Sequence, residues 1–142
     1  MPTECPYRVV LADDHAMFRN DLRRILFEKG DLEVIGEAGD GIELIEFLNL
    51  IESAPQMAII DISMPNLGGI EATSKIKSIY PDMKVLILSM HREKEYVHKA
   101  FSVGADGYLL KQDSSDELFA AIEKIRQGGV YLSPFLRDLD AT

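Results

Sequence analysis

Only one cysteine and no tryptophan occur in the 142 residues. Cys5 by itself closes no internal disulfide, so burial of apolar side chains has to hold the fold, which fits a reducing cytoplasm. The three histidines, His15, His91 and His98, lack the spacing of a zinc site. Long apolar runs are missing as well: none approaches the ~20 residues that span a bilayer. The opening MPTECPY has neither a basic leader nor an apolar signal core. These absences predict a cytoplasmic protein with no membrane partner. Positive charge is scarce, with 15 Lys and Arg against 24 Asp and Glu and a net charge of -9. Such a field repels phosphate backbones and no basic block interrupts it, so this stretch of chain is not expected to bind nucleic acid by itself.

What is present is a hydrophobic fraction of 46%, in a length that suits a single core. Val9 to Ala12, Leu32 to Ala38, Met57 to Ile60, Val85 to Leu88 and Tyr108 to Leu110 read as strands. After each, apolar residues recur at helical spacing. They are Phe18, Leu22, Ile25 and Leu26 before Gly30, then Ile42, Leu44, Ile45 and Leu48 before Pro55. Ile70, Thr73 and Ile76 follow the turn MPNLGG, Val97, Ala100 and Phe101 precede Gly104, and Leu118, Ala121, Ile122 and Ile125 precede Gly128-Gly129. Five strands, each followed by a helix, need crossover connections. The predicted fold is therefore α/β: a doubly wound, flavodoxin-like, five-stranded parallel sheet in the order 2-1-3-4-5. Wholly apolar strands suit its centre and the looser second strand an edge. Sites in such sheets lie outside the carboxyl ends of the strands.

Those ends carry the chemistry. The first strand runs through RVVLA into Asp13-Asp14, the third ends at Asp61, the fourth at Ser89 and the fifth at Lys111. Parallel strands bring all of these to one rim. Two carboxylates ~5 Å apart repel by roughly 3 kcal/mol at an effective dielectric of ~20, so core stability does not account for three. A hard divalent cation such as Mg2+ does, since it takes oxygen ligands and is typically held by one or two carboxylates plus a phosphate oxygen. Lys111 adds a positive charge and Ser89 a hydroxyl donor. Together the parts suit phosphoryl transfer onto an aspartate.

In this order, DD after the first strand, D-x-x-M-P at 61–65, Ser89 after the fourth strand and Y-L-L-K at 108–111 resemble the receiver domain of two-component response regulators. The resemblance covers residues 7 to about 128, which makes 1–128 the expected receiver domain. It implies that Asp61 is the phosphoacceptor, Asp14 a direct Mg2+ ligand, Asp13 a mostly water-mediated one, and Ser63 a donor of its backbone carbonyl. It also implies that Ser89 and Lys111 hold the transferred group and that Tyr108 is the aromatic switch. The run GGVYLSPFL and Gln112 after Lys111 resemble the LuxR/NarL class. By that likeness 129–142 is a linker toward a helix-turn-helix effector domain absent from this chain, through which alone DNA would be bound. The implied protein is a phosphorylation-controlled switch of transcription, not a turnover enzyme, though it assists its own phosphorylation and dephosphorylation. Its implied partners are a sensor histidine kinase and a second copy. That copy would meet it through the face of helix 4, strand 5 and helix 5, with Tyr96, Lys99, Tyr108 and Phe119, or through helices 1 and 5. Ser63 and His91 fall where the family tunes its rates, and Met90 where a bulky side chain would narrow access to the site.

Each residue also has a plainer reading. Asp14 taken alone is a helix cap, Asp61 a turn former, Lys111 a solvated loop residue, Tyr108 an edge-strand aromatic, and the histidines surface residues. A phosphorylation-independent pseudo-receiver that acts as a protein-binding module is the alternative function. An aspartate-nucleophile phosphatase would resemble D-x-D after the first strand, where this chain has D-D. A flavin binder would need a phosphate cradle in place of the acidic loop.

Overall fold

The structure, a computed structural model, describes residues 6–140, with side chains as far as Arg137. Cys5 lies outside the described residues. Strands and helices alternate: β1 Tyr7–Ala12, α1 Ala16–Phe27, β2 Leu32–Ala38, α2 Gly41–Leu50, β3 Met57–Asp61, α3 Gly69–Ile79, β4 Lys84–Ser89, α4 Lys94–Ser102, β5 Gly107–Leu110 and α5 Ser114–Arg126. A short 3-10 turn at Lys111–Asp113 joins the last two. Every strand pair is parallel, and with a short β6 at Tyr131–Leu132 the order is β2-β1-β3-β4-β5-β6.

The period of two along each strand divides the core. Val10, Ala12, Ala58, Ile60, Val85, Ile87, Tyr108 and Leu110 face α2, α3 and α4, where Leu44, Leu48, Ala72, Ile76 and Ala100 meet them. Val9, Leu11, Met57, Ile59, Leu86, Leu88 and Leu109 face α1 and α5, against Leu22, Leu26, Leu118, Ala121, Ile122 and Ile125. Burial on both faces explains why the central strands are apolar without interruption. Gly69 opens α3 directly beneath the end of β3: a Cβ there would run into the Asp61 carbonyl oxygen. The turn before it is pinned by Asp40, whose carboxylate caps α2 through the Glu43 N–H (2.8 Å) and accepts from Asn66 Nδ2 at 2.6 Å. Asn66 itself is left-handed, with φ 67°. These two hydrogen bonds hold the Asp40 carboxyl below its ordinary pKa.

The expected order 2-1-3-4-5 holds, and a sixth strand extends it. The sheet has six strands, because β6, Tyr131–Leu132, pairs in parallel with β5, and a helix α6, Pro134–Asp140, follows it. Within the stretch expected as a linker, Tyr131, Ser133 and Leu136 are buried, and the buried Ser133 hydroxyl accepts the Leu110 N–H at 2.8 Å. Two strand residues are too few to show an alternation in sequence. Tyr108 is fully buried and β5 is no edge, so it adds nothing to the surface of helix 4, strand 5 and helix 5 in this conformation. Phe119 packs on the core beside α1, beneath the Lys29 ammonium, while Tyr96 and Lys99 stay exposed.

Candidate functional site

β1 and β3 deliver Asp13 and Asp61 to the same rim, 1% and 3% exposed, and the turn after β5 brings Lys111 over them. Lys111 Nζ lies 2.9 Å from Asp13 Oδ2 and 3.4 Å from Asp61 Oδ1. It also sits 4.6 Å from the centre of the Phe18 ring, which shields the ammonium from one side. Asp14 and His15 stand at the open edge. One ligand atom from each of Asp13, Asp14, His15 and Asp61 falls within 4.8 Å of all the others. No side chain caps α1: His15 is its first flanking residue, so Asp14 is free of the plainer role of helix cap. Asp13 instead turns back on the chain, accepting the His15 N–H at 2.8 Å. Arg19 locks this loop by donating to the Asp13 carbonyl oxygen while its Nε bonds Glu37 at 2.8 Å.

Two buried carboxylates, Asp13 and Asp61, thus converge on one lysine, with Asp14 beside them. Burial, then the neighbouring Asp13 charge, push the Asp61 carboxyl up to about 6, with Lys111 pulling the other way. Asp61 Oδ2 is buried without a hydrogen-bond partner. Asp13 Oδ2 is buried too and lacks one in the directional sense, since Lys111 approaches it as an ion pair off the hydrogen-bond axis. Leaving such oxygens unserved is costly. A hard cation would fit them: Asp13, Asp14 and Asp61 could hold it, and it would supply positive charge at the open oxygens.

Beside this pocket, Ser89 is fully buried at the end of β4. Its hydroxyl accepts the His91 N–H at 2.8 Å and the Tyr108 hydroxyl at 3.0 Å. The Tyr108 hydroxyl also lies 2.9 Å from the His91 carbonyl oxygen, so one proton is shared between two acceptors. Burial raises the Tyr108 pKa, which keeps it a donor. The His91 ring stacks on Tyr96 with centroids 4.0 Å apart, and its Nε2 lies 3.1 Å from Ser63 Oγ. Asp61, Ser63, Lys111, His15, Met90 and His91 line a cavity of about 300 Å3, with Met90 itself 75% exposed at its mouth. All seven site residues expected from sequence are thus gathered at one rim. Sequence reasoning missed His15, whose only signal was its place directly after the acid pair. It also missed Arg19, which a helical register from Asp13 does not mark.

Residues 9–123 match the response regulator receiver domain, and the chain belongs to that family. Within it, the protein is a receiver of the LuxR/NarL class. It is 40% identical over 130 residues to the transcriptional regulatory protein DegU of Brevibacillus brevis, covering 89% of this chain and 53% of that one. It is 39% identical over 126 residues to the oxygen regulatory protein NreC of Staphylococcus epidermidis, covering 88% and 57%. The crystal structure of a LuxR-family two-component response regulator from Aurantimonas sp. SI85-9A1 superposes with a TM-score of 0.88 at 34% identity, covering 94% of each chain. The chain spans about half the length of the curated relatives it matches. Response regulators are signalling proteins rather than turnover enzymes. Among the described residues no helix is long and apolar enough to cross a membrane.

Proposed function

We propose that this receiver takes a phosphoryl group on Asp61 in a Mg2+-dependent reaction and passes the change to its outer surface. The carrying observation is the buried, unpartnered Asp61 Oδ2 beside Asp13 and Lys111. Asp14, Asp61, the Ser63 carbonyl and, through water, Asp13 would hold the ion, which when bound neutralises charge on the transferred group's oxygens. An Asp61 oxygen attacks phosphorus as the bond to the donor breaks, and the donor leaves with that electron pair. When the donor is a phosphohistidine of a sensor kinase, the leaving group is its imidazole. Lys111 then pairs with one phosphoryl oxygen and the Ser89 hydroxyl donates to another.

Drawing the Ser89 hydroxyl toward the phosphoryl group takes away one acceptor of Tyr108. That loss biases the tyrosine and the His91 segment toward a second arrangement, which is the differential contact a two-state switch requires. The surfaces read out are those of α4, β5 and α5, or of α1 and α5, through a second copy of the chain. DNA is reached only through an effector domain beyond residues 129–142, as the name of the DegU relative accords with. Incubation with a small acyl phosphate and Mg2+ tests the proposal. Intact mass should rise by a single phosphoryl group, and chelation of the metal should prevent the rise. A folded protein that takes up none with Mg2+ present would point to the phosphorylation-independent binding module.

A further inference from the structure

Arg92 is exposed on the loop between β4 and α4, yet its guanidinium is engaged twice. It donates to Oε1 of Gln112, the neighbour of Lys111, and lies over the Phe135 ring of α6, 4.9 Å from its centre. The side chain stands between two cavities. One, of about 680 Å3, reaches Ser89 and Lys111. The other, of about 120 Å3, lies between α4 and the segment of β6 and α6, against Val97, Phe101, Leu132 and Leu136.

The backbone that delivers Arg92 is held by the side chains of the proposed switch. His91, the preceding residue, donates its N–H to Ser89 Oγ at 2.8 Å, and its carbonyl accepts the Tyr108 hydroxyl at 2.9 Å. The chain leading into α6 is fixed to the same tyrosine's strand: the Ser133 N–H donates to the Tyr108 carbonyl at 3.0 Å, and Ser133 Oγ accepts the Leu110 N–H. Leu136 is buried, but Phe135 stays 41% exposed, so its hold on Arg92 depends on where the loop places the guanidinium. Attraction of a cation to a ring face fades beyond about 6 Å, so a loop displacement of about 1–2 Å breaks the contact.

We infer that Arg92 is a clamp between the loop beside the phosphorylation site and α6, closed in the unmodified protein and opened when Ser89 turns to the phosphoryl group. The inference rests on the proposed phosphorylation of Asp61 and adds a route by which it reaches α6. A contact made only in the resting arrangement opposes the switch, and by linkage the switch opposes the contact. Removing the clamp therefore shifts unmodified protein toward the second arrangement, and the site then binds a phosphoryl mimic more tightly.

The test titrates the whole chain with beryllofluoride, a phosphoryl mimic, by calorimetry at saturating Mg2+. The proteins are wild type, Arg92→Ala, Phe135→Leu, the double variant and Lys94→Ala, with circular dichroism to read the fold. Arg92→Ala and Phe135→Leu should each bind beryllofluoride about two- to five-fold more tightly, the size of an exposed cation–π contact. The double variant should bind no more tightly than Arg92→Ala, since both changes remove one contact. Lys94→Ala removes the same charge from the same groove and should match wild type. Were Arg92 merely a positive charge near the site, its loss would weaken binding of the anion, the opposite sign. Weaker or unchanged binding in either single variant, or additive gains in the double, would overturn the clamp while leaving phosphorylation of Asp61 standing. Wild-type protein that binds no beryllofluoride with Mg2+ present would overturn the reading of Asp61, and the clamp with it.

Discussion

Replacing Asp61 by asparagine should stabilise the metal-free protein, although the same change removes the oxygen proposed to accept phosphoryl. The folded-state pKa of Asp61 stands at about 6 against an ordinary 3.8, so folding favours its protonated form. The sign follows: the carboxyl costs nothing below about pH 4, its penalty grows as pH rises from about 4 to about 6, and it stays constant above that. The shift corresponds to about 3 kcal/mol at neutral pH, and water at the pocket mouth reduces this to about 2 kcal/mol. Asp61→Asn keeps the shape, removes the charge, and leaves Lys111 paired with Asp13 at 2.9 Å. In urea melts at pH 7 with chelator, the variant should be more stable by about that amount, with a melting temperature higher by about 6 °C. Mg2+ at 100 times its dissociation constant adds about 2.7 kcal/mol to wild type, so the two proteins should then converge or change order. A variant no more stable than wild type without metal, or a difference that Mg2+ leaves unchanged, would refute the reasoning.

Ser133→Ala strips the buried Leu110 N–H of its acceptor. It should cost about 1–3 kcal/mol in urea and speed hydrogen exchange at the Leu110 amide. Gly69→Ala forces a methyl group against the Asp61 carbonyl. It should cost about 1–3 kcal/mol and weaken Mg2+ binding seen by calorimetry, because α3 cannot move without shifting the end of β3. Lys111→Met leaves Asp13 and Asp61 buried without their cation. Metal-free protein should lose about 3–5 kcal/mol, and saturating Mg2+ should restore a large part of it in thermal melts.

The strands that specify the fold were legible because burial on both faces writes an uninterrupted apolar run at 57–60 and 85–88. The polar residues that end them, Asp61 and Ser89, stand out against that background. Asp13, Asp14 and Lys111 were legible for the same topological reason, since parallel strands can end only on one rim. What escaped depends on three-dimensional closeness with no periodic trace. β6 and α6 are held by Tyr131, Leu136 and one serine hydroxyl, which in sequence are indistinguishable from a linker. Tyr108 is buried with β6 alongside β5, an arrangement that two strand residues at 131–132 do not announce in sequence. By residue type His15 is a surface residue, and its ring is largely exposed, but Nδ1 points into the acid cluster.

The claim beneath the whole account is that the Asp61 carboxylate is the group modified. Borohydride reduction of the protein after incubation with an acyl phosphate and Mg2+ cleaves an aspartyl phosphate to homoserine, and peptide sequencing by mass spectrometry finds where. Homoserine at position 61, and its disappearance when metal is chelated, is the predicted result; homoserine at position 13 or 14, or a stable phosphate on a serine, would contradict it.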